Sequence, residues 1–169
     1  MDQNPSMAGM NASPSQPKSG GLMKMIVTAK GGQFAKWAPM PLRLTLAIIF
    51  IFHGLTKVFG PQPGLEGFTG FLTSLNVPIP GFFGIFIAWL ELVGGFAFLL
   101  GFLTPLFAKL IALELIVAWF LTKLGGGLMV NGIVAGELDI AIVGLAIALA
   151  MLGAGPLSID AKLARKYQR

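Results

Sequence analysis

"FIFHGLTKVF", residues 50–59, puts His53 and Lys57 four positions apart in a stretch that is otherwise apolar or small. From about Pro41 to Phe59 the apolar character continues, close to the roughly 20 residues that cross a bilayer core, and Arg43 is a further cation near its start. A charge at the centre of a bilayer costs about 2.5–3.5 kcal/mol even on insertion scales, so such residues face a bundle interior and find partners there. The reading of this stretch as a membrane span that carries bases decides the fold, and it makes the rest of the chain the place to look for acids.

Composition agrees with a membrane solvent. The 169 residues are 55% hydrophobic and 11% charged, with mean hydropathy +0.80, against roughly 25% charged residues in a soluble domain. The net charge of +5 is scattered over the termini and helix ends, without a basic stripe interleaved with aromatics, so nucleic acid is not an expected partner. No cysteine is present. Disulfides, thiolate metal sites, iron–sulfur clusters and thiol redox chemistry are excluded on this chain, and any redox chemistry belongs to a bound cofactor or a partner.

Three more apolar stretches occur, from about Phe82 to Gly101, Pro105 to Leu124 and Glu137 to Leu152, the last ending at the helix-breaking "GAGP". The expected fold is all-α, an integral membrane four-helix bundle. Leu65, Phe68, Phe71, Leu72 and Leu75 recur at helical spacing and predict a short amphipathic helix in the first outer loop. The first span begins too late for a cleaved signal peptide and is expected to stay in the mature protein. Lys and Arg mark the cytoplasmic side of short loops. Lys18, Lys24, Lys30 and Lys36, then Lys109, then Lys162, Arg165, Lys166 and Arg169 fall on one side of a four-span chain, while 60–80 holds no Lys or Arg. Both termini are therefore expected in the cytoplasm, with the protein in the cytoplasmic (inner) membrane.

The chain divides into residues 1–20, a Pro- and Ser-rich tail expected to be flexible or ordered by a partner; 21–40, a basic and apolar interfacial segment; 41–160, the membrane domain; and 161–169, a basic tail. At 1.5 Å per residue His53 lies about 18 Å and Lys57 about 24 Å into the first span, and Glu91 and Glu114 come out near the midplane of the second and third. At 100° per residue Arg43, His53 and Lys57 share one face within about 80°. A buried polar cluster of Arg43, His53, Lys57, Glu91, Glu114 and Glu137 is the expected answer to the opening stretch, each charge satisfying another. Glu137 and Asp139 open the last span at a height where Lys57 could pair with either, and their ordinary role is to complement the helix dipole. Gly54, Gly94 and Gly95 are expected to let helices, or a flat ring, approach closely.

The segments "LRLTLAIIFIFHGLTKVFG" (42–60), "AWLELVGGFAFLLGFLTP" (88–105) and "GELDIAIVGLAIALAMLGAGPLSID" (136–160) together resemble the DoxX family of small four-span membrane proteins. The resemblance is carried by Arg43, His53, Gly54, Lys57, Glu91, Gly94, Gly95, Gly101, Glu137, Gly153, Gly155, Ser158 and Asp160. Glu114 has no assigned place in the family pattern. The family takes its name from a subunit of a thiosulfate:quinone oxidoreductase, and the resemblance implies an accessory or non-catalytic subunit of a redox-linked respiratory or photosynthetic membrane complex. Its partners would then be the bilayer and other subunits. One histidine excludes bis-His haem on this chain, and a metal site is not expected from one His and two Glu on separate helices. No cofactor is assigned to this chain outright; a quinone is the one the residues would suit, with His53 and Glu91 as its donors and proton carriers, against the plain reading of the cluster as an ion-pair network that fixes helix register. Two other readings stand beside this one: a small proton-coupled transporter or lipid-handling protein, and a purely structural assembly subunit whose polar core sets helix register.

Overall fold

The computed structural model describes residues 32–61, 64–123, 129–130, 133–134 and 136–167. The expectations for the tail at 1–20 and for most of the interfacial segment lie outside these residues. The chain divides into two units, Met1–Gln33 and Phe34–Arg169, and every long helix belongs to the second.

After a single helical turn, α1 (Gly32–Ala35), the chain forms α2 (Pro39–Phe59), α3 (Gly64–Ser74), α4 (Pro80–Leu100), α5 (Thr104–Lys123), α6 (Glu137–Leu152) and α7 (Ile159–Tyr167). Two-residue strands β1 (Met129–Val130) and β2 (Ile133–Val134) pair antiparallel between α5 and α6. Prolines start α2 and α4 at positions whose amide needs no partner. Gly101, at φ 66°, ends α4: its N–H donates to Phe98 O and that of Phe102 to Ala97 O, the pair of bonds that closes a helix and turns the chain back.

Among the described residues three helices, α2, α4 and α5, are long and apolar enough to cross a membrane. The fourth bundle helix, α6, has 16 residues. At 1.5 Å each it covers about 24 Å, somewhat less than a hydrocarbon core of about 30 Å, with the bounds expected for the fourth apolar stretch. The molecule is an all-α membrane bundle in which α2 packs on α4, α5 on α6, and each pair on the other through α4–α5 and α2–α6. The expected loop helix is α3, which lies against α4 and α2 and buries Leu72.

The core runs along the bundle axis through Leu46, Ala47, Phe50, Phe98, Ala108, Ile111, Ala112, Ile142, Ala146 and Leu149. Outside it the polarity is inverted relative to a soluble protein: Ile48, Phe52, Val93, Leu100, Leu113 and Ile147 all stay exposed. Such a surface is stable where lipid replaces water. The buried stripe of α2, Arg43, Leu46, Ala47, Phe50 and Gly54, repeats at the spacing of one helix face. Close approach comes from glycine. A Cβ on Gly54 would stand 2.5 Å from the Cα and N of Leu92, and one on Gly95 would stand 2.6 Å from the N of Ile51. The backbones of α2 and α4 therefore touch where these two glycines face the opposite helix.

Candidate functional site: a buried lysine and carboxyl pair

The expected single cluster is divided in the structure. Arg43, near the start of α2, is buried and points to the segment after α6. Its Nη1 donates to Ala154 O at 2.6 Å and its Nη2 to Leu157 O at 2.7 Å. Gly101 makes room for it, since a Cβ there would lie 2.5 Å from Nη1. Asp160 completes this node: Oδ1 accepts from Leu103 N–H at 2.8 Å and Oδ2 from Thr104 N–H at 2.9 Å, while its own N–H donates to Gly101 O. A carboxylate on the first amides of a helix satisfies otherwise orphaned donors and complements the helix dipole. The start of α2, the α4–α5 turn and the end of α6 thus share one end of the bundle.

The second site lies further along α2. Glu91, buried in α4, pairs with Lys57 of α2, whose Nζ donates to Glu91 Oε2. Lys57 also sits 4.5 Å from the ring centroid of Phe68 on α3, so an aromatic face covers the cation from the loop side. Glu114 of α5 stands close enough to Glu91 and Lys57 to feel the charge of both. Its Oε2 is buried and has no partner among the described residues. One ammonium thus stands near two carboxyl groups, and the carboxyl that the lysine does not engage can carry a proton as a neutral acid. This arrangement can store and pass a proton in a place that water does not freely reach.

The remaining expected residues go elsewhere. His53 is exposed on α2, its ring 6.4 Å from that of Phe50, with no hydrogen bond or ion pair to Glu91. At 100° per residue a histidine about 40° from Lys57 on the helix surface is enough to turn it from the bundle to its outside. Glu137 is exposed at the first turn of α6, and Lys57 pairs with Glu91 instead of Glu137 or Asp139. Gly94 faces α5, where a Cβ would stand 2.9 Å from Ile111 Cδ1, a side-chain tip. Among the described residues no three His, Asp or Glu side chains gather as metal ligands.

Reading the residues alone missed the Arg43 node. Its acceptors are main-chain carbonyls, which carry no residue signature, and Asp160 reads in sequence as the first-turn acid of its own helix, α7. The only signal was the clustering of Gly153, Gly155, Ser158 and Asp160 in the family resemblance.

The family model DoxX matches residues 38–124, which contain Arg43, His53, Lys57, Glu91 and Glu114. "Putative oxidoreductase CatD" of Bacillus subtilis (strain 168) is 35% identical over 119 residues, 70% of this chain and 81% of that protein. No solved structure matches. A family match over half of the chain, with a relative aligned over most of its own length, makes this integral membrane protein a member of the DoxX family.

Proposed function

We propose that this chain is a membrane-embedded accessory subunit of a redox-linked complex, and that Lys57, Glu91 and Glu114 hold and deliver a proton for it. The observation that carries this reading is the buried Oε2 of Glu114, without a partner among the described residues, near a carboxyl already engaged by the lysine. A buried polar atom without a partner is costly, and such atoms concentrate where a ligand or a transferred proton completes the set. The name of the Bacillus subtilis relative supports the redox class. With no cysteine and a single histidine on the chain, the electrons belong to a bound cofactor or a partner subunit.

A quinone-type ring, when bound, accepts electrons together with protons. The residues that fit its protonic side are Glu114 and Glu91, with Lys57 holding the charge left behind. His53, exposed on the outer face of α2, belongs to the surface that meets lipid or a neighbouring subunit. The basic residues near the Arg43 end support a cytoplasmic location for that end, and for both termini, in an inner-membrane protein.

The test is replacement in the native membrane. Glu114→Gln keeps the shape and the hydrogen bonding but removes the exchangeable acid. It is expected to leave the amount of assembled protein unchanged and to lower quinone reduction at least tenfold. Unchanged turnover at equal protein level overturns the proton role. Purification through a C-terminal tag in mild detergent tests the subunit role: stoichiometric redox partners are expected. A lone chain that moves protons in liposomes would replace this reading by that of a proton-coupled transporter.

A further inference from the structure

A second concave region lies at the Arg43 end. A cavity of about 570 Å³ opens between the first turns of α5 and the segment that follows α6. Its walls are mostly carbon, from Leu103, Pro105, Leu106, Ala161 and Ala164, and Lys109 supplies the cation among the lining residues. Asp160 also lines it, but both of its carboxylate oxygens are already taken by the amides of Leu103 and Thr104. A second groove, about 350 Å³, begins at the same Lys109 and continues between α5 and α6 past Ala112, Ile116, Ile147 and Met151. Lys109 is thus the junction between a cavity at the end of the bundle and an apolar channel running into its membrane-facing side.

We propose that these two cavities together bind one anionic phospholipid, its phosphate at Lys109 and an acyl chain along the α5–α6 groove. Depth supports this assignment. Lys109 lies five residues into α5, about 7.5 Å from the end of the helix, within reach of the headgroup level for a lysine that extends its stem toward water. Charge supports it too. On α7, Arg165, Lys162 and Lys166 are exposed and fall within an arc of about 100°, beside an arc of Ile159, Leu163 and Tyr167. A short helix with one basic and one apolar arc lies along an anionic membrane surface, and Ala161 and Ala164 of the same helix wall the headgroup cavity. A free phosphate would use the lysine but leave the apolar groove unoccupied.

The experiment uses the full chain in mild detergent, with phosphatidylglycerol or phosphatidylcholine of equal chain length added and bound lipid counted by native mass spectrometry. Wild type is expected to retain phosphatidylglycerol over phosphatidylcholine by about fivefold or more. Lys109→Gln should bring that preference down by about fivefold, Lys109→Arg should keep it, and Lys123→Gln, at the other end of α5, should leave it unchanged. Equal retention of the two lipids by wild type overturns the proposal. So does a preference that survives Lys109→Gln, or that Lys123→Gln lowers as much. Glycerol 3-phosphate that displaces the lipid at equimolar concentration would show that the groove contributes nothing and would overturn the acyl part.

Discussion

Replacing Gly95 by alanine tests how closely α2 and α4 are built together. The added Cβ would stand 2.6 Å from Ile51 N and 2.9 Å from Phe50 C, both backbone atoms of the opposite helix. Ordinary contact begins at 3.4 Å, so the helices must part locally by about 0.8 Å, a gap that forfeits a quarter to a half of the dispersion energy of the atoms it separates. Overpacking of this kind costs about 1–3 kcal/mol, offset by up to about 1 kcal/mol from the better helix propensity of alanine. The net expectation is a loss of about 1–2 kcal/mol. Gly94→Ala is the internal control. Its Cβ meets the tips of Ile111 and Phe107, at 2.9 and 3.3 Å, and side-chain tips can turn aside. That variant should lie within about 1 kcal/mol of wild type. Equilibrium unfolding in mixed micelles with increasing SDS measures both, one residue apart on the same helix. Equal losses for the two variants would refute the argument, because they would show that backbone contact across α2–α4 does not limit the packing.

Lys57→Met leaves Glu91 as a buried carboxylate without its cation and is expected to cost about 3–5 kcal/mol; adding Glu91→Gln to it should recover at least about 1 kcal/mol in the same assay, and strict additivity would show that the two side chains are not coupled. Arg43→Lys keeps a charge but can no longer bridge Ala154 O and Leu157 O, so thermal unfolding should show a loss of about 1–3 kcal/mol, with proteolysis after α6 accelerated. Asp160→Asn retains one acceptor for the two amides of Leu103 and Thr104 and should cost about 1 kcal/mol; an unchanged melting temperature would mean that the node does not hold α7 in place.

The fold was legible because its signals are local. The apolar runs and the breakers after Leu152 placed the helices close to where they stand, and the spacing of Leu65, Phe68 and Leu72 announced α3. The length of α6 was legible as well, since its 16 residues can be counted in the sequence; what its shortness means for crossing the membrane depends on how it packs. The site was legible only in part. Depth arithmetic brought Glu91 and Glu114 to one level, and the structure keeps the two near each other. The same arithmetic put His53 with them, although a rotation of about 40° from Lys57 suffices to carry it to the outer face.

What the sequence by itself determined is the solvent and the inventory: a chain this apolar must be helical in a bilayer, because no water is there to satisfy its backbone, and without cysteine it holds no thiol chemistry. The tertiary structure alone decided which ion meets which. Lys57 met Glu91 and Arg43 met the carbonyls of Ala154 and Leu157, because partner choice depends on helix rotation and on distances between segments 34 to 114 residues apart. Neither quantity is encoded in the spacing along any one helix.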